Sequence, residues 1–404
     1  MSAAALAFDP TSDAVLQHSR YEVYHHMREH APIYEIPGFD PPYRMLFRYA
    51  DALAVLRSPA FVREARNAGK EIVVPERMRP IQQLLSTWML LRDPPDHTRL
   101  RALVSKAFTP RTVEKLRGFI TETAEALLDR MAERGGQSDL LQDFAGPLPV
   151  MVVARLLGAP ADDAERFRAW AQWIATYLGS WEGAPPEAAR AALEMAEYMA
   201  ALLADRRRSP RDDLISALLA AEESGNRLTH EEVVGTAVML LTAGHETTVN
   251  LIANGTYALL KNPDALRELR ASLDSPEAMA AAVEELLRFD SPVQMTARHC
   301  REETVIGGVR FRRGDVAGPV LGSANRDPAQ FPNPDRLDVR RHPNDHVAFG
   351  HGPHYCVGAG LARLEGQIGI GALLRRFPEL SLAEEPRYVR NMAFRALEGL
   401  RVAW

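Results

Sequence analysis

Apolar residues recur at helical spacing through most of the chain before about residue 290. The segment from Thr112 to Gly136 shows this pattern and ends in a glycine pair, which is typical of a helix C-terminus. A longer segment begins at Thr229, has Glu232 at the spacing of a capping box, and continues to Pro263. At ~1.5 Å per residue this helix would be about 45 Å long. Its apolar character predicts that it crosses the middle of the protein.

The pattern changes after a further helix, which we predict to begin with Ser275 as its cap and Pro276 at its first position and to end before Pro292. The stretch "TVIGGVRFRRGDVAGPV" alternates and contains Gly307-Gly308, so it predicts a hairpin in a small sheet. A long loop rich in proline, asparagine and aspartate follows, and a last helix comes after it. We therefore expect one domain over residues 1–404, mainly α with a minor β part. Helices should occupy about 90–290 and 360–377, and β structure about 30–60, 293–322 and 380–404.

Composition narrows the class of protein. A chain of 404 residues can enclose a cofactor completely, and its net charge of −5 shows no basic excess of the kind that binds nucleic acid. With only two cysteines, a disulfide framework is excluded. No signal peptide is recognisable, and no apolar stretch approaches the roughly 20 residues of a membrane span. We expect a cytoplasmic monomer without a membrane anchor.

The stretch "AFGHGPHYCVGAGLARLE", Ala348 to Glu365, holds one of the two cysteines. It does not fit a dinucleotide fingerprint, because Tyr355 and Arg363 stand where that motif needs glycine. A buried structural cysteine and a nucleophile beside a histidine both remain open. A zinc site also remains open, although no familiar ligand spacing is present. Its candidate ligands are His342, His346, His351, His354 and Cys356.

A further possibility is that Cys356 binds haem iron as a thiolate. The flanking glycines would let the backbone approach a flat porphyrin, and their amides can donate to the sulfur. The helix that follows directs its positive end at the thiolate. Phe349 can shield the sulfur from water, and His354 can reach a haem propionate. A thiolate ligand favours O–O cleavage.

At "FGHGPHYCVG" the chain resembles the cytochrome P450 family, whose cysteine loop has the pattern Phe-Gly-x-Gly-x-His-x-Cys-x-Gly. The residues that carry this resemblance are Phe349, Gly350, His354, Cys356 and Gly358. The resemblance implies the fold of that family, with haem b between the long central helix and the cysteine loop.

Three other motifs match the family in order and spacing. Glu285 and Arg288 resemble its Glu-x-x-Arg pair, and Arg336 in the long loop matches the arginine that completes a buried triad. "AGHETT" resembles its oxygen-activation motif. In this motif Thr247 can donate back to the Ala243 carbonyl, and Gly244 would leave room for a diatomic ligand. Glu246 and Thr247 would form an acid–alcohol pair. The family's propionate contacts are matched by His97, Arg101, Arg298 and His354.

The resemblance implies a monooxygenase that inserts one atom of O2 into an apolar polyketide, macrolide, terpene, steroid or fatty acid. Electrons would come from NAD(P)H through a separate ferredoxin and ferredoxin reductase. Arg99, Lys106 and Arg363 are candidates for the ferredoxin-docking surface. The alternatives are a peroxide-driven peroxygenase, which the Glu246-Thr247 pair disfavours, and a haem-binding sensor without turnover. Candidate pocket residues are Met89, Leu90, Leu240, Val293, Gln294 and Phe394, and an aromatic stretch from Trp170 to Trp181 is a candidate lid.

Overall fold

The computed structural model describes residues 8–18, 20–71, 75–180, 185–221 and 228–404. Helices make up most of this part of the chain. They are α1 (Arg20–His30), α2 (Tyr49–Arg57), α3 (Arg79–Ser86), α4 (Asp96–Val104), α5 (Pro110–Lys115), α6 (Arg117–Ala132), α7 (Pro147–Leu157), α8 (Ala164–Gly179), α9 (Pro186–Arg208), α10 (Leu214–Ala221), α11 (His230–Lys261), α12 (Pro263–Arg270), α13 (Pro276–Phe289), α14 (Leu321–Ala324) and α15 (Ala359–Arg376).

The long helix α11 is the centre of the fold, as predicted. It has 32 residues and packs against α7, α8, α9, α13 and α15. Its predicted capping box is present: the Thr229 hydroxyl accepts from the Glu232 amide at 3.2 Å, and Glu232 Oε2 accepts from the Thr229 amide at 2.9 Å. The cap satisfies amides that would otherwise lack partners at the first turn.

Two other helix predictions had different outcomes. The Ser275 cap of α13 is confirmed, since its hydroxyl accepts from the Ala278 amide. The prediction of a single helix from Thr112 is wrong, because the helix is interrupted at Leu116, which separates α5 from α6. Gly118 lies in the first turn of α6, and glycine weakens a helix there.

In the described residues, the minor β part consists of three small sheets. The strands are β1 (Ile33–Ile36), β2 (Tyr43–Leu46), β3 (Phe61–Val62), β4 (Gln137–Asp139), β5 (Arg298–Cys300), β6 (Thr304–Ile306), β7 (Val309–Phe311), β8 (Val316–Pro319), β9 (Ser381–Leu382) and β10 (Arg401–Ala403). One sheet has the order β1-β2-β8-β5-β3, so it joins the two predicted β regions near the N-terminus and after residue 293. The predicted hairpin is β6-β7, whose turn glycines Gly307 and Gly308 have φ of 55° and 82°.

Two large clusters of buried side chains meet along α11. The cluster formed with α8 and α9 uses α11 from Val233 to Leu241, and the cluster formed with α13 and α15 uses it from Val249 to Leu259. The segment between them, 242–248, therefore belongs to neither apolar core. In the described part of the chain we find no helix with the length and apolarity to cross a bilayer.

Candidate active site

The middle of α11 opens toward an internal space. Ala243 is exposed although buried residues precede it along the helix, and Glu246 and Thr247 are partly exposed. The Thr247 hydroxyl donates to the Ala243 carbonyl at 2.8 Å, as the sequence predicted. Thr248 makes the equivalent bond to Gly244 at 3.0 Å, but its side chain is buried. Only Thr247 of the two threonines therefore presents its oxygen to the space.

Gly244 has a packing role that its motif did not indicate. A Cβ on this residue would lie 2.9 Å from Cγ2 of Val153 in α7. The missing side chain therefore permits close packing of α7 on α11. Ala243 is small and exposed, so this residue leaves the surface of α11 open toward the internal space.

Two ionisable groups next to this opening are perturbed in opposite directions. Burial raises the pKa of Glu246, and the amide of Asn250 at 3.5 Å opposes this only weakly. Burial lowers the pKa of His245 to about 4, and its ring lies 3.3 Å from the Gly146 carbonyl. Glu246 thus holds a proton to a higher pH than an exposed glutamate, whereas His245 stays neutral. Sequence reasoning missed His245, whose buried position depends on α11 packing that no local pattern reveals.

The cysteine loop is held by its own backbone. The Cys356 amide donates to the Phe349 carbonyl at 3.0 Å, and Gly350 and Gly352 have φ of 70° and 73°. A Cβ on Gly352 would lie 2.7 Å from the Leu56 carbonyl oxygen. Both glycines are therefore needed for the loop to take this path and to lie against α2.

The thiol of Cys356 is accessible, yet burial raises its pKa, so the sulfur faces a recess within the protein. The Gly358 amide and the charges of Arg101 and Arg363 oppose that shift and favour the thiolate. Cys300 differs, since it is fully buried in β5, its sulfur lies 3.1 Å from the Glu302 carbonyl, and burial raises its pKa to about 11. Cys356 alone of the two has both access and stabilising partners for a thiolate.

Two histidines and two arginines gather beside this loop. The His97 ring lies 4.2 Å from the His354 ring, and Arg101 donates to the Tyr355 carbonyl at 2.6 Å. Arg298 is 6% exposed and donates to Thr296 and to the Ala297 carbonyl. The structure thus brings together the four residues that the sequence proposed as propionate contacts.

Arg63 joins this cluster and was missed from the sequence. Its guanidinium donates to Thr296 and to the Ala297 carbonyl, and burial lowers its pKa to about 10. It follows β3, and only the pairing of β3 with β5 brings it near Arg298. No local motif signals that contact.

The cluster fits a group that carries two carboxylates. Burial, and then the positive charges of Arg298 and Arg63, lower the pKa of His354 to about 2. Among the described residues, Asp93 is the only carboxylate that perturbs His97, Arg298 or Arg63. Asp93 is already engaged by the Arg63 and Glu64 amides. The excess positive charge suits haem propionates, which need cationic partners when buried.

The buried triad contains a different arginine from the one predicted. Glu285 pairs with Arg288 at 2.7 Å and with Arg341 at 3.1 Å. Arg336 is exposed and contributes only its carbonyl, which lies 3.4 Å from Arg288. The expectation for the Arg336 side chain is wrong, because the loop turns this residue outward and returns at Arg341.

The candidate pocket residues divide into three groups. Gln294 is not a pocket residue: it is fully buried, donates to the Ser291 carbonyl at 2.7 Å, and packs against Gly322. Met89 and Leu240 are 5% exposed and belong to the apolar core. Leu90 is 38% exposed, while Val293 and Phe394 are partly exposed and pair in an isolated bridge.

The candidate lid is described only as far as residue 180. Trp170 is buried against Phe167 and Tyr198, and Trp173 is 38% exposed. Trp181 lies outside the described residues. Part of the aromatic stretch therefore packs α8 against α9.

The docking candidates are mostly engaged in ion pairs. Arg99 forms a two-bond pair with Glu232, and Arg363 forms one with Glu284. Lys106 is exposed, and no ion pair joins it to another described residue. Of the three docking candidates, only Lys106 is therefore a surface cation without an ion pair to a described residue.

The zinc hypothesis is not supported by the geometry. His346 contacts Glu284, His351 contacts Arg57, and the His354 ring lies tilted against the His97 ring. Within the ranges that the structure describes, no group of three or more His, Cys, Asp or Glu side chains is arranged to hold a metal ion. The histidines of the cysteine loop point to separate partners.

Comparison with known proteins agrees with this site. The family model for cytochrome P450 matches residues 39–389. The polyketide biosynthesis cytochrome P450 PksS of Bacillus subtilis (strain 168) is 42% identical over 96% of this chain and 96% of its own. The monooxygenase PikC of Streptomyces venezuelae is 41% identical over 95% and 91%. A crystal structure of P450BioI in complex with an acyl carrier protein ligated with hexadec-9Z-enoic acid has a TM-score of 0.86 at 40% identity, covering 96% of this chain and 98% of that one. With its cysteine loop, its long central helix and these relatives, the chain belongs to the cytochrome P450 family of haem-iron monooxygenases.

Proposed function

We propose that this chain inserts one oxygen atom into an apolar substrate, by hydroxylation or epoxidation, with Cys356 as the axial ligand of haem b. The observation that carries the proposal is the accessible thiol of Cys356, supported by the Gly358 amide and set beside Arg63 and Arg298, whose one neighbouring carboxylate, Asp93, is already engaged by backbone amides. His97, Arg101, Arg298 and His354 would hold the propionates. When bound, the haem supplies the activation of O2 and the oxidation of the substrate.

The residues of α11 would manage protons. The Thr247 hydroxyl proton is directed at the Ala243 carbonyl, so its oxygen presents lone pairs to the internal space and can accept a hydrogen bond there. Burial raises the pKa of Glu246, so it holds a proton to a higher pH than an exposed glutamate and can act as a proton donor to the internal space. This acid–alcohol pair supports O2-dependent turnover over a peroxide-driven reaction.

The proposed substrate is a polyketide-like or other apolar molecule. PksS is named for polyketide biosynthesis, and P450BioI is seen with an acylated carrier protein, so both a free and a carrier-bound substrate are consistent with the relatives. The partly exposed candidates Leu90, Val293 and Phe394 are apolar, which supports an apolar pocket. A ferredoxin and its reductase would supply the electrons, with Lys106 on the docking surface.

The first test is the optical spectrum of the purified protein, reduced and exposed to carbon monoxide. A strongly red-shifted Soret band that disappears in Cys356→Ser and persists in Cys300→Ser would support the ligand assignment. An imidazole-type spectrum, or a thiolate spectrum retained in Cys356→Ser, would contradict it. Product formation with O2, ferredoxin and reductase, compared with peroxide alone, then separates a monooxygenase from a peroxygenase. Haem binding without turnover in either assay would favour a sensor.

A further inference from the structure

A charged network joins α13 and α15 to the cysteine loop. Arg363 donates to both oxygens of Glu284, with distances of 2.6 Å from Nε and 2.8 Å from Nη2. His346 Nε2 lies 3.1 Å from Glu284 Oε2. Despite burial, which acts to raise it, the bonds from Arg363 and His346 lower the pKa of Glu284 to about 2. Glu284 is therefore ionised and Arg363 is its charged partner.

The hydrogen bonds also define the state of His346. The Ala348 amide donates to His346 Nδ1 at 3.2 Å, so that nitrogen accepts and Nε2 carries the proton toward Glu284. His346 is thus a neutral donor. The network contains one negative charge, on Glu284, and one positive charge, on Arg363.

The positive end of this pair is directed at the cysteine loop. The Arg363 guanidinium carbon lies 4.7 Å from the centroid of the Phe349 ring, and Nη1 donates to the Tyr355 hydroxyl at 3.2 Å. The Phe349 carbonyl accepts from the Cys356 amide. Among the described residues, Glu284 shares hydrogen bonds with Arg363 and His346 and none with Phe349, Tyr355 or Cys356. The positive end of the pair therefore contacts the residues next to the sulfur, and the negative end does not.

We propose that the Glu284–Arg363 pair is a positioning dipole that sets the electrostatic potential at the Cys356 sulfur, and through it the reduction potential of the iron. This inference rests on the proposed role of Cys356 as iron ligand. A nearby positive charge stabilises the reduced, more electron-rich centre and raises the potential, and a nearby negative charge lowers it. The Arg363 side chain is 31% exposed, so the effect should weaken as ionic strength rises.

The test is the reduction potential of the haem-loaded protein in single and double variants. Arg363→Gln should lower the potential, Glu284→Gln should raise it, and the double variant should return close to the parent value. If the pair had only a structural role, the reduction potentials of both single variants would shift in the same direction. That result, or no shift in either variant, would overturn the proposal. The ferrous–CO band of each variant reports the ligand independently. Loss of the thiolate band in the parent protein would overturn the proposed function instead, so the two failures are distinguishable.

Two further variants make the test decisive. Arg363→Lys keeps the charge but not the two-bond geometry, so its potential should stay near the parent value while that of Arg363→Gln falls. This comparison decides the question even if Glu284→Gln does not retain haem, and equal shifts in the two arginine variants would overturn the proposal. The matched control is Arg99→Gln, because Arg99 makes the same two-bond contact with Glu232, is also 31% exposed, and does not act on Cys356. Its potential should not change, and a shift equal to that of Arg363→Gln would overturn the proposal.

Discussion

Arg341 Nε lies 3.1 Å from Glu285 Oε2 and closes a buried triad in which Arg288 Nε lies 2.7 Å from the same oxygen. Both arginines and the carboxylate are nearly or fully buried, and the Asp338 amide also donates to Glu285 at 2.9 Å. One carboxylate thus anchors the long loop between β8 and the cysteine loop at two places. The position of Cys356 depends on this anchor, because the same loop leads directly into Phe349.

We expect Arg341→Ala to destabilise the protein by about 3–5 kcal/mol, because removing one partner leaves a buried charge network incomplete. Haem content should fall with it. Arg336→Ala is the control, since this exposed side chain should change the free energy of unfolding by less than about 0.5 kcal/mol. Denaturant unfolding measures both variants. Equal effects would show that the Arg336 side chain also takes part.

Thr247→Ala should leave the CO spectrum unchanged but divert reducing equivalents to hydrogen peroxide. The reason is that Thr247 offers the only threonine oxygen on the open side of α11, and alanine offers none. Thr248→Ala removes an equivalent bond on the buried side and should keep coupling intact. Product formed per NAD(P)H consumed is the measurement. Loss of coupling in both variants would mean that the helix geometry matters and the Thr247 oxygen does not.

The raised pKa of Glu246 predicts a pH dependence of coupling. A carboxyl group whose pKa is raised by burial stays protonated above its usual value of about 4.3, and loses the proton as pH rises through the shifted value. Coupling should therefore decline toward alkaline pH. Glu246→Gln should abolish this decline, whereas the exposed Glu231→Gln should keep it. His245, with its pKa lowered to about 4, stays neutral in this range. A declining profile retained in Glu246→Gln would assign it to another group.

Local rules predicted those parts of the fold that depend on neighbouring residues in the sequence. The caps of α11 and α13 follow from Thr229 and Ser275, and the bond from Thr247 to the Ala243 carbonyl follows from their spacing on one helix. The hairpin follows from Gly307-Gly308. Each of these features depends only on residues within one helical turn or one β-turn of each other.

The errors concern residues whose role depends on distant partners. Arg336 and Arg341 lie in the same loop, and only its path decides which one reaches Glu285. Gln294 was a pocket candidate, although its side chain packs against Gly322 and donates to the Ser291 carbonyl. A single sequence contains no signal for these contacts.

Arg298→Gln should have opposite effects on the haem-free and haem-loaded protein. In the haem-free protein Arg298 is a buried cation whose pKa is lowered by burial and by Arg63, so glutamine should be neutral or stabilising. If Arg298 binds a propionate as proposed, the same change in the loaded protein removes a charge-assisted bond worth about 1.5–3 kcal/mol. Thermal unfolding of the two forms and the rate of haem loss to a scavenging protein measure this. Destabilisation of both forms by the same amount would contradict a role toward the propionates.

Glu365 on α15 provides a test of stability against pH that does not involve catalysis. It is 1% exposed, its Oε2 has no hydrogen-bond partner among the described residues, and burial raises its pKa well above the usual value. Because the folded-state pKa is raised, its favourable contribution is complete below the unfolded value of about 4.3 and is lost as pH rises through the folded value. Glu365→Gln keeps the shape without the charge. Its melting temperature should match the parent at pH ~5 and exceed it, on the order of a few °C, at pH ~8. The exposed Glu125→Gln is the control and should show no such difference. A parent protein that gains stability relative to Glu365→Gln as pH rises would mean that a partner stabilises the ionised carboxylate.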